Sequence, residues 1–335
     1  MCLCVLKTTF GTAFFTGYDL FMKKTLLIPL LILLLATSCK NKQERYTDLQ
    51  PITLGAMSSM DYLPFVIAQK QGIYNDLGLE VKIVKFFSAN DRDAAFQSGN
   101  IDGTVIDYTG AALQHAKGIS LGIVMKNDGY FHLITGKDSG IENLPDLRGK
   151  NIAVSRNTVI EYSTDQILKK GGVQPGEVNK PEINKIPLRY EMLRSGQIDA
   201  SIFPDPFAGM AVREGNKSLI TTRDLGISVT GTIFTRKALE NKRKEIEVLI
   251  TGYNRAVDYM RKTDQVQWVQ VLIDDAGVPA DMADRIELPD YQPAALPSTR
   301  DLEQTISWLK EKKLIPAGYT GVNLVDTLPG VKFRR

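Results

Sequence analysis

Asp61-Tyr62, Asp107-Tyr108 and Asp128-Gly129-Tyr130 each set a carboxylate close to an aromatic ring, and Asp205 stands between Pro204 and Pro206. A carboxylate accepts from amino groups and a tyrosine ring stacks on a flat partner, so this set suits an amino-bearing heterocycle. Arg92, Arg156 and Arg189 are the opposing cations, and guanidinium groups suit an oxyanion such as a sulfonate or nitrate. Serines and threonines surround both sets: Ser58, Ser59, Thr109, Ser155 and Thr158, with Asn90 and Asn157. Each of these residues also has an ordinary use as a helix cap, a turn or a surface ion pair. The weight of acids and tyrosines favours the heterocycle, with the anion as the alternative.

Other chemistry is poorly provided for. The chain has only two histidines, His115 and His132, and no C-x-x-C or H-E-x-x-H spacing. No nucleophile elbow, phosphate-binding glycine loop or Ser/His/Asp pattern stands out. The expectation is a binding protein, not an enzyme, with no metal and no cofactor. His132 reads as a satisfied histidine of the core or of a crossing segment, and His115 as exposed on a helix. A formal net charge of +3 over 335 residues leaves no basic face for nucleic acid.

The three cysteines are Cys2, Cys4 and Cys39, so residues 40–335 hold no thiol. Residues 22–39, MKKTLLIPLLILLLATSC, place two lysines before an apolar run and small residues before Cys39, the three-part pattern of a secretory signal. The apolar run is short of the roughly 20 residues that cross a bilayer. Its Leu-Ala-Thr-Ser-Cys ending resembles a lipobox, which implies lipidation at Cys39. Residues 1–38 are expected to be an over-extended start (1–21, with Met22 as the true start) followed by the signal peptide. Residues 39–50 then form the lipidated cysteine and a polar tether.

The elements that must position the polar residues follow from periodicity. Ile52–Ala56 reads as a strand, Leu63–Gln71 as a helix stopped by Gly72, and Leu79–Phe86 as a strand with period two. Asp91–Ser98 and Gly110–Lys117 read as helices, with Asn100–Ile106 as a strand between them. After residue 140 the alternation restarts. Asn151–Ser155 is a strand, Val159–Lys170 a helix, Ile183–Ile186 a weak strand, Tyr190–Ser195 a short helix and Ile198–Phe203 a strand. Thr232–Thr235 precedes a long helical region through Lys262, with helices near 264–275 and 299–313. Thr158 and Glu161 fit a capping box, and Trp268, Trp308, Tyr253 and Tyr259 read as packing residues. Such alternation predicts mainly parallel sheets covered on both faces. The polar candidates fall at strand-to-helix turns, where open α/β sheets place ligands against helix N-termini.

Two segments, Phe96-Gln-Ser-Gly-Asn-Ile-Asp-Gly and Met192-Leu-Arg-Ser-Gly-Gln-Ile-Asp-Ala, repeat one helix-glycine-strand move. Between them lies Asp138-Ser-Gly-Ile-Glu-Asn-Leu-Pro-Asp-Leu-Arg-Gly-Lys-Asn-Ile-Ala-Val, and ahead of them Tyr62-Leu-Pro-Phe-Val-Ile-Ala-Gln-Lys-Gln-Gly-Ile-Tyr. In this order and spacing, over about residues 52–260, the chain resembles the periplasmic binding proteins of ABC importers, in the nitrate/sulfonate/taurine and thiamine-pyrimidine-precursor group. The resemblance implies the type II periplasmic-binding-protein fold: two α/β lobes, a central ligand cleft and two crossing segments. Lobe I would be 51–135 plus 232–335, and lobe II 136–231. It further implies a monomer on the outer side of a bacterial membrane, held by its N-terminal lipid, that delivers a small solute to ABC permease subunits. The alternative use of the same fold is an enzyme, such as a pyrimidine synthase or chorismate dehydratase relative.

Overall fold

The computed structural model describes residues 46–331 and residue 333. The expected start, signal and Cys39 lie outside the described residues, as does most of the expected tether. Its last residues are packed on the body: Tyr46 N donates to Leu77 O (3.0 Å) and Gln50 N to Glu245 Oε1 (3.0 Å).

Five strands build the first sheet: β1 (Ile52–Met57), β2 (Val81–Phe86), β3 (Gly103–Asp107), β4 (Leu121–Asn127) and β9 (Thr230–Thr235), in the order β2-β1-β3-β9-β4. Four build the second: β5 (Phe131–Thr135), β6 (Ile152–Ala153), β7 (Ala200–Pro204) and β8 (Lys217–Thr221), in the order β6-β7-β5-β8. Helices α1 (Leu63–Lys70), α2 (Ile73–Leu77), α3 (Ala89–Gln97) and α4 (Tyr108–Ala116) connect strands of the first sheet. Helices α5 (Val159–Lys170), α6 (Ile186–Arg194) and α7 (Phe207–Arg213) serve the second. The tail carries α8 (Arg236–Asn241), α9 (Arg243–Lys262), α10 (Val269–Asp274) and α11 (Thr299–Glu311).

The sheets are mixed, which corrects the expectation of mainly parallel ones. β1 runs parallel to β2 and β3, and β6 to β7, but β9 is antiparallel to both β3 and β4, and β5 to both β7 and β8. The cause is the path of the chain. β5 is reached from β4 and β9 from β8 by crossings between the sheets, not by helical crossovers within a sheet, so neither is bound to the parallel direction.

One apolar cluster lies beneath the first sheet, where Leu249 and Tyr253 of α9 join Phe65 of α1. The α9 stripe of Ile246, Leu249, Tyr253 and Val257 recurs at helical spacing, and burying each such side chain stabilises by about 1.5–3 kcal/mol. A second cluster joins Ile106 and Ile233 of the first sheet to Leu133 and Ile202 of the second, with Trp308 and Leu309 of α11. Trp268, Trp308 and Tyr253 are buried, as their sequence context suggested. Among the described residues no helix is long and apolar enough to cross a membrane.

Candidate functional site

Residues from both sheets line a partly open cavity of about 50 Å³. A water needs about 10–15 Å³ on this scale, so the space holds roughly four waters, or a compact polar group of similar size. Met57 at the end of β1, Ser59 and Asp61 after it, Arg92 on α3, Asp107 at the end of β3 and Thr230 on β9 form one wall. Ser155, Thr158, Ile160, Asn184, Ile186 and Arg189 form the other. Each is placed by a strand end or a helix start, the location open α/β sheets reserve for ligands.

Arg189 is the under-used cation of this cavity, whereas Arg92 is held between two carboxylates. Asp107 Oδ1 caps α4, accepting from Gly110 N (2.7 Å) and from the Thr109 hydroxyl. The Ser59 hydroxyl donates to Asp61 Oδ1, yet burial dominates and pushes the Asp61 carboxyl above its usual range. Arg92 Nε donates to Asp93 Oδ1 (2.9 Å). Its Nη2 lies 2.8 Å from the same oxygen and 3.7 Å from Asp107 Oδ2 without completing a hydrogen bond to either. Arg189 Nη1 donates to Ile183 O (2.8 Å) and Nη2 to Ile202 O (3.4 Å), while Nε has no partner. Burial lowers the Arg189 pKa to about 10, which leaves it charged at neutral pH. Each buried unpaired donor costs about 1–3 kcal/mol, a penalty an acceptor-rich ligand relieves. The cavity thus sets two guanidinium groups, Arg92 and Arg189, against two acids, Asp61 and Asp107.

The opening of α5 adds to this polarity. Thr158 Oγ1 donates to Ser155 O (2.8 Å) and accepts from Ile160 N (3.2 Å). Glu161 Oε2 accepts from Asn157 N (2.8 Å) and Oε1 from Lys312 of the tail, so Glu161 braces the turn before α5, but the reciprocal capping box expected between Thr158 and Glu161 does not form, because Thr158 accepts from Ile160 and Glu161 reaches one residue beyond the cap. The dipole of this 12-residue helix presents its positive end on the cavity side.

Of the residues singled out in the sequence, Ser59, Asp61, Arg92, Asp107, Ser155, Thr158 and Arg189 line the cavity. The three tyrosines do not. Tyr62 is in the core with its hydroxyl on Asp275 O (3.2 Å), and Tyr108 is fully buried. Tyr130 lies under the Arg223 guanidinium, 4.4 Å from ring centroid to Cζ. For Tyr108 the physical reason is register: α4 begins at Tyr108, not at Gly110 as expected, because Asp107 caps it, and this turns the ring into the core. Phe131 is the aromatic side chain that reaches the lining instead.

Ser58 is buried, its backbone N–H given to Phe86 O (3.2 Å), and Asn90 is exposed on α3. Thr109 supports Asp107 from behind, and Asn157 serves the turn with φ 61°. Arg156 points to the surface and pairs with Glu182 (3.1 Å). Asp205 Oδ1 accepts from Gly209 N (2.9 Å), and its Oδ2 lies 3.3 Å from His132 Nε2. His132 Nδ1 is 2.9 Å from Ser218 Oγ, so this histidine is satisfied on both sides. His115 is half-buried against Tyr319 (2.9 Å), not exposed as expected. Asn184 escaped the sequence reading because Ile183–Ile186 was expected as a strand; it is an irregular segment leading into α6.

Gly129 guards the position of Asp61. A Cβ at residue 129 would stand 2.6 Å from Asp61 Cβ and 3.3 Å from Asp61 Cα, beside the bond from Asn127 Nδ2 to Asp61 O (3.0 Å). Gly129→Ala is expected to lower unfolding free energy by about 1–3 kcal/mol in chemical denaturation, the usual cost of overpacking.

Comparison with known proteins follows the same lines. The family described as NMT1/THI5 like matches residues 59–265, more than half of the chain, and the chain belongs to that family. A Bacillus subtilis (strain 168) protein named as an aliphatic sulfonates-binding protein is 23% identical over 252 residues, covering 72% of this chain and 75% of that one. The alkanesulfonate-binding protein SsuA from Xanthomonas axonopodis pv. citri, solved bound to MOPS, superposes with a TM-score of 0.73 at 17% identity. That match covers 84% of this chain and 100% of SsuA. The periplasmic aliphatic sulphonate binding protein SsuA from Escherichia coli gives a TM-score of 0.68 at 17% identity, covering 83% and 98%. The two-sheet α/β architecture is therefore the two-lobed periplasmic-binding-protein fold.

Proposed function

We propose that this member of the NMT1/THI5-like family is an extracytoplasmic solute receptor of an ABC importer, and that its cleft takes a small oxyanion of the sulfonate class. The observation that carries this is the pair of buried guanidinium groups that line the cavity: Arg189, whose Nε has no partner, and Arg92, whose Nη2 faces Asp93 and Asp107 without completing a hydrogen bond. The sulfonate-binding names of its relatives point the same way. The heterocycle favoured by the acid–tyrosine pairs loses its support, since the tyrosines are turned away and Asp107 is engaged in capping. The chain would work as a monomer without a catalytic group, lobe I (51–135 and 232–335) closing on lobe II (136–231) around the solute. A lipid at Cys39 would hold it on the outer face of the membrane beside its permease.

Thermal shift tests the reading directly. Methanesulfonate or taurine at a hundredfold excess over Kd should stabilise by about 2.7 kcal/mol, a rise of roughly 5 °C or more. Nitrate should act more weakly, and an aminopyrimidine should have no effect. A shift with the aminopyrimidine alone would restore the heterocycle, and turnover of any ligand would replace the receptor by an enzyme.

A further inference from the structure

The tail reaches the wall of the cavity from behind. Helix α11 packs on α4 of the first sheet's set, and its last turn meets α5 of the second. Trp308 sets its ring edge-on to Tyr162, 5.4 Å between centroids, and its indole Nε1 donates to Asp165 Oδ2 (2.9 Å). Lys312, the residue that ends α11, gives its ammonium to Glu161 Oε1 and stands 3.8 Å from Asp165 Oδ2. Glu161 and Asp165 are four residues apart on α5 and so share a face, which lets one lysine address both. Lys180 takes the other Asp165 oxygen.

Glu161 carries this contact to the solute site. It is buried, and while Oε1 is held by Lys312 its Oε2 accepts from Asn157 N (2.8 Å). Asn157 has φ 61°, a left-handed backbone that a non-glycine residue keeps only when its surroundings fix it. Ser155 and Thr158 stand on either side of it, joined by the bond from Thr158 Oγ1 to Ser155 O (2.8 Å), and both line the cavity. Lys312 itself does not line it.

We infer that Lys312 is a positioning residue for solute binding, which acts through Glu161 to hold the turn Ser155–Thr158 in its solute-binding shape. This rests on the receptor reading above and adds to it a group that touches no solute. With the tail in lobe I and α5 in lobe II, the same contact ties the lobes together. Without the ammonium, the buried Glu161 carboxylate loses the cation it pairs with and turns to find another partner, and the strained turn loses its brace.

The test is calorimetric titration of methanesulfonate into the full chain and into Lys312→Met, Lys312→Arg, Glu161→Gln and the Lys312→Met/Glu161→Gln variant, each below its melting transition. Lys312→Met should bind about tenfold more weakly, within the range of coupling that residues in contact show. Lys312→Arg keeps the charge and should recover most of that loss. The glutamine at 161 can still accept from Asn157 N but forms no ion pair, so in that background Lys312→Met should change affinity by less than about twofold. Melting curves of the free and the loaded proteins separate positioning from packing. A merely structural contact lowers both melting temperatures and leaves affinity alone, and that result overturns the role of Lys312 while the anion receptor stands. An equal loss from Lys312→Met in both backgrounds also overturns it, since the lysine would then act without Glu161. If the unaltered chain binds no sulfonate, the anion reading falls, and the positioning role with it.

Discussion

Arg92→Met should lower sulfonate affinity by at least a hundredfold. The substitution keeps length and apolar volume on α3 but removes the charge that lines the cavity together with its ion pairs to Asp93 and Asp107. Truncating one partner of a buried, hydrogen-bonded charge pair costs about 2–5 kcal/mol, and about 2.7 kcal/mol is already two orders of magnitude. The same change strips Asp93 of its partner and leaves Asp107 Oδ2 without a facing cation, so a fall in stability of about 1–3 kcal/mol accompanies it. The two effects separate experimentally: affinity is measured by titration calorimetry below the variant's melting transition, and folding by circular dichroism. Arg92→Lys is the control. It restores the charge without the planar fork, so it should recover part of the lost affinity. Unchanged binding of methanesulfonate in Arg92→Met would remove the guanidinium from the site and the anion from the cleft.

The choice of Arg92 over Arg156 shows what the sequence could and could not convey. Both arginines sit near a strand-to-helix turn, and both suit an anion by type. Arg92 shares a helical face with Ala89 and Phe96, three before and four after it, and all three are buried. That spacing was a usable signal. Arg156 sits before its helix and is captured by Glu182, a residue 26 positions on that reaches it only through a single bridge beside β6. No local pattern announces such a pairing. Tyr108 failed on a finer point: a two-residue shift in the start of α4 decides whether it faces the cleft or the core, and helix boundaries depend on caps as well as periodicity. Where cap and periodicity agreed, as at Val159–Lys170, sequence and structure coincide residue for residue. The antiparallel placement of β5 and β9 lay beyond local pattern altogether, because it depends on where the chain crosses between the sheets.

Asp61→Asn should bind sulfonate more tightly than the wild-type chain above neutral pH and should flatten its pH profile. Burial raises the Asp61 carboxyl above its ordinary value of 3.8, against the smaller opposing effects of the Ser59 hydrogen bond and the Arg92 charge. A raised acid in the folded state holds its proton better than in the unfolded chain. Its contribution to stability is therefore complete below the ordinary carboxylate value and is lost as pH climbs through the raised one. An anion in the same cavity strengthens this preference, because it repels the ionised form. Affinity in the wild-type chain should thus fall as pH rises through that window, with a proton taken up on binding. At about 6 Å and an effective dielectric near 20, a unit charge costs its like-charged neighbour about 3 kcal/mol, so the asparagine variant should gain up to a hundredfold once pH exceeds the raised value. The asparagine carbonyl can still accept from the Ser59 hydroxyl, which preserves the local hydrogen bond. Titrations at pH 5, 6.5 and 8 in two buffers of different ionisation enthalpy read both affinity and proton uptake. A ligand that instead binds the asparagine variant more weakly at pH 8 would need the carboxylate as an acceptor, and the cargo would then carry an amino group facing Asp61.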